Sequence, residues 1–272
     1  MDKCLIVCYN LFMKVHRFYF DGSLENYNLN DKMSLNNKEQ VHQIVSVLRL
    51  EKGEYISVFN ASKELLCEIT DIDNSRRNEK MSLIIKDIVY GIEDKVSYME
   101  INLYMSVIKK DKFEMVIEKS VELNISSVTP LITMRTEKSH VLAIKSESEQ
   151  KRIQKIIIEA TEQCGRTELM RYHVEVPLDH MFKEKQTHLK TLNVFAHIDS
   201  EESMYEIVSS FKKENIILDI DKKLIINIYI GPEGGWHPEE VEKMKQAGYR
   251  PVSIARYILR AETAAIAALA QI

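Results

Sequence analysis

Proline and glycine are scarce in this chain of 272 residues, at five and eight respectively. That excludes a collagen-like or low-complexity chain. Cysteine is scarce as well: Cys4, Cys8, Cys67 and Cys164 are scattered, and of these Cys4 and Cys8 alone lie close together. No second pair or His cluster completes a zinc site, so no metal is expected. Nor do four such cysteines make a disulfide scaffold; they read as reduced thiols of a cytoplasmic protein. Apolar runs are short, the longest being strand-sized, as at residues 224–230, so no transmembrane helix is expected. Positive charge is not in excess. The formal net charge of -4 argues against a general polyanion binder and leaves room for local basic patches. Residues 1–12 contain a Lys and an Asp and no small-residue cleavage site, so a signal peptide is not expected.

What is present fits a globular chain with room for two modest domains, 45% hydrophobic and 29% charged. In the first ninety residues, segments 16–20, 55–59, 65–72 and 81–89 read as strands. Asn37 is placed to cap a helix whose apolar positions Val41, Ile44, Val45 and Leu48 recur at helical spacing. Several strands in so short a stretch suggest a small barrel. Gly91 and a charged stretch interrupt the pattern at residues 90–98, so domains of residues 1–90 and 91–272 are expected.

Beyond that boundary, strand and helix alternate, which predicts an α/β fold with a parallel sheet. Strands are expected at 100–107, 127–132, 192–198, 224–230 and 251–254. Asp111 and Glu114 have capping-box spacing for a helix that buries Phe113, Val116, Ile117 and Val121. A second helix at 149–164 buries Ile153, Ile156, Ile157 and Ala160 and stops at Gly165. An alanine-rich helix, 262–272, closes the chain.

Two segments carry the chemistry. Ile230-Gly231-Pro232-Glu233-Gly234-Gly235-Trp236-His237-Pro238 is a buried strand end, a glycine loop and a helix start. A ligand at the carboxyl end of that strand would meet exposed backbone amides. The loop lacks the Gly-Lys-Ser/Thr ending of a P-loop and the spacing of a dinucleotide fingerprint, which favours a ligand without phosphates. The second segment is Ile254-Ala255-Arg256-Tyr257-Ile258-Leu259-Arg260-Ala261-Glu262-Thr263-Ala264. Charges such as Arg260 and Glu262 beside a buried helix of small residues need partners.

Together, Gly-Pro-Glu-Gly-Gly and Ile-Leu-Arg-Ala-Glu-Thr-Ala resemble the ribosomal RNA small subunit methyltransferase E family of the SPOUT superfamily. Other stretches are similar too: Arg17-Phe18-Tyr19-Phe20, His42 to Leu50 with Gly53, Glu118 to Leu123, Thr136-Glu137-Lys138-Ser139, and Glu159-Ala160-Thr161-Glu162-Gln163-Cys164-Gly165-Arg166. The family's pattern has Gly at Ala255, Arg at Tyr257, Arg at Lys138 and His at Gln43. It also normally begins just before its Arg-Phe strand, so Met13 is expected as the natural start, with residues 1–12 a leader.

The resemblance implies a PUA-like barrel that helps to grip RNA. After it would come a SPOUT methyltransferase domain whose chain end threads a trefoil knot. It implies a homodimer that uses S-adenosylmethionine to methylate N3 of a uridine in 16S rRNA of the small ribosomal subunit. Cofactor residues would be His197, Ile198, Ile230, Gly231, Pro232, Glu233, Gly234, Gly235, Ile254, Ala255, Ile258, Leu259 and Thr263. Arg260 would stabilise negative charge on the uracil as its proton leaves. Glu262 is either the base or the group that orients Arg260. Arg17, Arg49, Arg135, Lys138 and Arg166 are candidates for RNA phosphate. Gln163 and His42 either touch RNA or face solvent. Two other functions share these features: an RNA-binding assembly factor without turnover, and an enzyme of the superfamily acting on tRNA.

Overall fold

The computed structural model describes residues 15–75, 78–90, 99–182, 190–216 and 223–272. The expected leader, Cys4, Cys8 and the boundary stretch 91–98 lie outside them. The chain divides into one compact unit of Met1–Lys95 with Thr161–Glu168, and a second of Val96–Ala160 with Leu169–Ile272.

In the first unit, β1 (His16–Tyr19), β2 (Lys32–Leu35), β3 (Tyr55–Phe59), β4 (Lys63–Ser75) and β5 (Asn78–Tyr90) form one five-stranded sheet in the order β1-β3-β4-β5-β2. β1 lies parallel to β3 and the other pairs are antiparallel. Asn37 caps α1 (Lys38–His42) by accepting from the Glu39 and Gln40 amides, and the helix widens into a π turn at Gln43–Val47. Val41 and Ile44 are fully buried beside Phe18, Ile56 and Leu83. Cys67 sits in the same core, where burial pushes its thiol up to about 12. Strand β2 escapes sequence reading because it is four residues long, with a Lys and a Ser among them.

The second unit is built on a sheet ordered β12-β10-β11-β6-β7-β8, from β6 (Met99–Ser106), β7 (Ser127–Ile132), β8 (Arg171–Tyr172), β10 (Thr191–Ala196), β11 (Leu224–Ile230) and β12 (Arg250–Val252). β9 (Val176–Pro177) adds a further pairing to β7, and every named pair is parallel. Helices cover both faces, which is why β11 can read Leu-Ile-Ile-Asn-Ile-Tyr-Ile. On one face, Ile226, Ile228 and Ile230 pack with α2 (Lys110–Glu122), α4 (Glu147–Cys164), α6 (Met204–Ile216) and α8 (Ala261–Leu269). On the other, Tyr104, Phe195 and Tyr229 pack with α5 (Leu178–Met181) and α7 (Pro238–Gln246). A further helix, α3 (Lys138–Ile144), follows β7. Among the described residues no helix is long and apolar enough to cross a membrane.

One polar row crosses this sheet. Asn193, Asn227, Asn102 and Ser127 are aligned partners on four neighbouring strands. Ser127 Oγ donates to Asn102 Oδ1 (2.6 Å), Asn102 Nδ2 to Asn227 Oδ1 (3.1 Å), and Asn227 Nδ2 to Asn193 Oδ1 (2.8 Å). Burial makes each of these amides costly to leave unmatched, so the row fixes strand register.

Helix α2 begins one residue before its expected cap. Lys109 is the N-cap and Asp111 lies in the first turn, so the Asp111–Glu114 spacing is not a capping box. Asn124 ends the helix with φ 58°. Alanines 261, 265 and 268 are buried and let α8 pack closely against α2, which brings the first turns of the two helices together.

Candidate active site

At the carboxyl ends of β10, β11 and β12, the loops open around a cavity of about 1070 Å³. That is the upper end of what one small ligand occupies. Its wall takes residues from five segments of the second unit: Lys109 and Lys112, Arg135, the turn after β10, the glycine loop after β11, and the stretch from β12 into α8.

The glycine loop is shaped by specific contacts. Gly235, at φ 67°, donates its amide to Pro232 O at 2.8 Å and closes a turn that disfavours a side chain. At Gly231 a Cβ would come within 3.1 Å of the Trp236 ring. A side chain at 231 would therefore press on a neighbour in the chain itself, and the Trp236 ring would have to give by a few tenths of an ångström. At Gly234 a Cβ would meet Arg135 at an ordinary 3.5 Å. Trp236 folds back under the loop, buried, and its Nε1 donates to Ala196 O at 2.8 Å. Arg135 Nη1 donates to Gly234 O at 2.7 Å, and the Lys109 amide donates to Glu233 Oε1 at 3.4 Å.

His237 caps α7, and Pro238 opens its first turn. The buried Glu240 carboxylate accepts from the His237 amide (2.8 Å) and the Met134 amide (2.7 Å). One side chain thus holds the start of α7 against the loop that carries Arg135.

The third loop is anchored from two sides. The His197 amide donates to Val252 O, the Ser253 amide to Glu202 O, and Gln271 Nε2 to Ile254 O. Beyond those anchors, Tyr257 and Ile258 are 76% and 80% exposed, and Ile198 across the mouth is 72% exposed.

Charge on the wall is unlike that of the whole chain. Lys109, Lys112, Arg135, Arg256 and Arg260 stand against Asp199, Glu233 and Glu262. Glu262 is buried, and its carboxylate lies 3.9 Å from Lys112 Nζ. Arg260 is the N-cap residue of α8 with its side chain exposed, and among the described residues that side chain has no hydrogen bond or ion pair. Arg260 thus stands at the cavity wall two residues from a carboxylate that lies beside Lys112, while Arg256 on the same wall lies over the Tyr257 ring.

The RNA methyltransferase domain family matches residues 95–272. A Rickettsia conorii protein named ribosomal RNA small subunit methyltransferase E is 31% identical over 267 residues, covering 96% of each chain. A Bacillus subtilis protein of the same name is 27% identical, covering 86% of this chain and 87% of its own. The chain belongs to the ribosomal RNA small subunit methyltransferase E family. Among solved structures, a Legionella pneumophila protein in complex with the bound cofactor SAM superimposes with a TM-score of 0.74 at 27% identity, covering 94% of this chain and 96% of its own. The Neisseria gonorrhoeae ribosomal RNA small subunit methyltransferase E shares the fold with a TM-score of 0.73 at 24% identity, covering 94% and 95%.

The cavity gathers most of the residues that the family resemblance singles out. His197, Ile198, Ile230, Gly231, Pro232, Glu233, Gly234, Gly235, Ile254, Ala255, Ile258 and Leu259 line it together with Arg260, Glu262 and Arg135. Thr263 does not line it; on α8 it faces solvent. Lys138, the exposed first residue of α3, is not on the wall either. Arg17, His42, Arg49, Gln163 and Arg166 belong to the first unit. There His42 and Gln163 are exposed, and Arg49 is exposed with φ 57°.

Sequence reading places Glu240 in the first turn of its helix but misses its bond to Met134, along with Lys109, Lys112 and the contact of Trp236 with Ala196. Lys112 has a signal in hindsight: a Lys in the first turn of an amphipathic helix opposes the helix dipole and needs another reason to be there.

Proposed function

We propose that this protein is an S-adenosylmethionine-dependent methyltransferase that methylates N3 of a uridine in 16S rRNA of the small ribosomal subunit. The observation that carries this reading is the pairing pattern at the cavity: Glu262 beside Lys112 and Arg260 free. The printed names of the family relatives supply the RNA class.

S-adenosylmethionine, when bound, supplies the methyl that N3 receives and departs as S-adenosylhomocysteine. The residues present fit that molecule, which has an adenine, a ribose and a sulfonium but no phosphate. The glycine loop offers backbone groups and no P-loop Lys. Ile230, Ile254 and Leu259 give apolar walls, with Ile230 fully buried and the other two half-buried. His197, Ile198, Ala255 and Ile258 complete the rim.

The uridine must leave any stack or pair before N3 can be reached. As the N3 proton departs, negative charge spreads over the uracil carbonyls. Arg260, which has no hydrogen bond or ion pair to give up among the described residues, stabilises it. Glu262 accepts the proton. Lys112 rather than Arg260 faces its carboxylate, so orienting Arg260 is not the role its contacts support. The wall would contribute by holding N3 in line with the methyl.

The finer architecture follows the same reading. The crossing from β11 over β10 to the edge strand β12 supports a knotted chain end, and the five-stranded first unit supports a PUA-like RNA grip. The exposed Ile198, Tyr257 and Ile258 at the mouth support a surface covered in a homodimer. The protein would act in the cytoplasm, where small subunits are assembled.

The test is incubation of purified protein with methyl-labelled S-adenosylmethionine and small-subunit RNA from cells lacking the gene. Labelled 3-methyluridine after nucleoside digestion supports the proposal. Cofactor binding without labelled nucleoside would favour the assembly-factor reading, and label at another position would reject N3.

A further inference from the structure

Arg17 stands out in the first unit because its guanidinium is almost fully engaged. Nε and Nη2 fork onto the Glu64 carboxylate at 2.9 and 3.0 Å. The Phe59 ring lies beneath the guanidinium carbon, 4.0 Å from the ring centroid. Ser57 Oγ donates to Glu64 Oε1 at 2.5 Å, the same oxygen that accepts from Arg17 Nε, and helps to fix the carboxylate. Nη1 then donates to Thr161 O at 3.3 Å, and Nη2 to Arg166 O at 3.1 Å. A guanidinium has five N–H groups, and four of Arg17's are committed. The side chains of Arg17 and Glu64 are only 16% and 19% exposed.

The two carbonyls that Arg17 holds bracket a turn. Thr161 lies in the last turn of α4, where carbonyls lack helical partners. Between it and Arg166 run Glu162, Gln163, Cys164 and Gly165, of which the last three are exposed. Gly165 has φ 85°, a left-handed cap. The Tyr19 amide donates to Glu162 Oε1 at 2.8 Å, and Gln40 Nε2 donates to Tyr19 O at 2.7 Å. One strand of the sheet therefore grips the segment at three points and leaves its apex facing solvent.

We propose that Arg17 is a positioning residue: with Glu64 and Phe59 it sets the exposed turn at residues 163–165 in the shape that meets RNA, and RNA phosphate is not its ligand. A phosphate could reach it only by displacing Glu64 or one of the two carbonyls, or by using the single remaining N–H. Holding the turn in advance lowers the ordering cost of binding. The use of the turn rests on the RNA-methyltransferase reading; the clamp itself does not.

Glu64→Gln separates the two roles by sign. If Arg17 grips phosphate, losing the competing carboxylate frees it, and small-subunit RNA binds more tightly with a steeper salt dependence. If Arg17 positions the turn, the bidentate fork is lost and RNA affinity falls about tenfold, while S-adenosylmethionine affinity holds. Arg17→Lys keeps the charge but can neither fork nor bracket both carbonyls, so it should fall by a similar factor.

Amide hydrogen exchange in the free protein gives the readout that a phosphate contact would not move. Exchange at residues 161–166 should quicken in both variants while β3 and β4 stay protected. Tighter RNA binding by Glu64→Gln, unchanged exchange at 161–166, or faster exchange with unchanged RNA affinity would each overturn the proposal. If Glu64→Gln does not fold, Ser57→Ala, which removes a donor to Glu64 and no charge, carries the same comparison. Wild-type protein that binds no small-subunit RNA would count against the functional reading, whereas the exchange comparison judges the clamp by itself.

Discussion

Trp236 Nε1 donates to Ala196 O at 2.8 Å, and this single bond ties the glycine loop after β11 to the end of β10. The indole also crowds position 231, where a Cβ would come within 3.1 Å of the ring. The wall of the cavity is thus set from behind by a residue whose position after the loop suggests local packing and does not reveal its partner.

Trp236→Phe keeps most of the apolar body and removes the donor. It should cost about 1–2 kcal/mol of stability, the price of a lost hydrogen bond with a carbonyl left unmatched. Thermal melting and titration with S-adenosylmethionine should both weaken. Unchanged melting and affinity would show that the bond does not shape the loop.

Gly231→Ala and Gly234→Ala should differ. A methyl at 231 meets an aromatic ring at 3.1 Å, whereas one at 234 meets the side chain of Arg135 at 3.5 Å. Calorimetric titration should find cofactor binding weakened more at 231 than at 234. The reverse order would mean that the loop is shaped by its ligand rather than by Trp236.

Arg260→Ala should lower kcat about 10²–10³-fold, as loss of a charge-stabilising donor does. Cofactor affinity should stay near wild type, since among the described residues this side chain makes no hydrogen bond or ion pair to the loops. Equal losses in both would place Arg260 in cofactor binding instead.

Asn227→Leu interrupts the polar row at its centre. Asn102 loses that acceptor and Asn193 that donor. The expected loss is about 2–4 kcal/mol in urea unfolding, two buried amides deprived at once. A change below about 0.5 kcal/mol, the size of an ordinary surface substitution, would show that the row is not what holds register.

Much of the fold is legible because local pattern suffices for it. Residues 127–132 are strand-like and residues 224–230 are a largely apolar run of strand length, and they are β7 and β11 to the residue. The periodicity of Phe113, Val116, Ile117 and Val121 marks the buried face of α2. Short or polar elements carry too little pattern: β2 has four residues, and α3 opens Lys-Ser-His. At the site, residue types are legible and partnerships are not. Arg17 and Arg166 are 149 positions apart, Lys109 and Glu233 are 124 apart, and Trp236 and Ala196 are 40 apart. No local spacing says that an Arg suited to phosphate is held by a Glu, or that Glu262 faces Lys112 rather than Arg260.

The most direct test of the central claim is nucleoside mass spectrometry of 16S rRNA from cells lacking the gene, before and after its restoration. The account predicts that 3-methyluridine disappears, returns with the wild-type gene, and fails to return with Arg260→Ala. Undiminished 3-methyluridine in the deletion strain would contradict it.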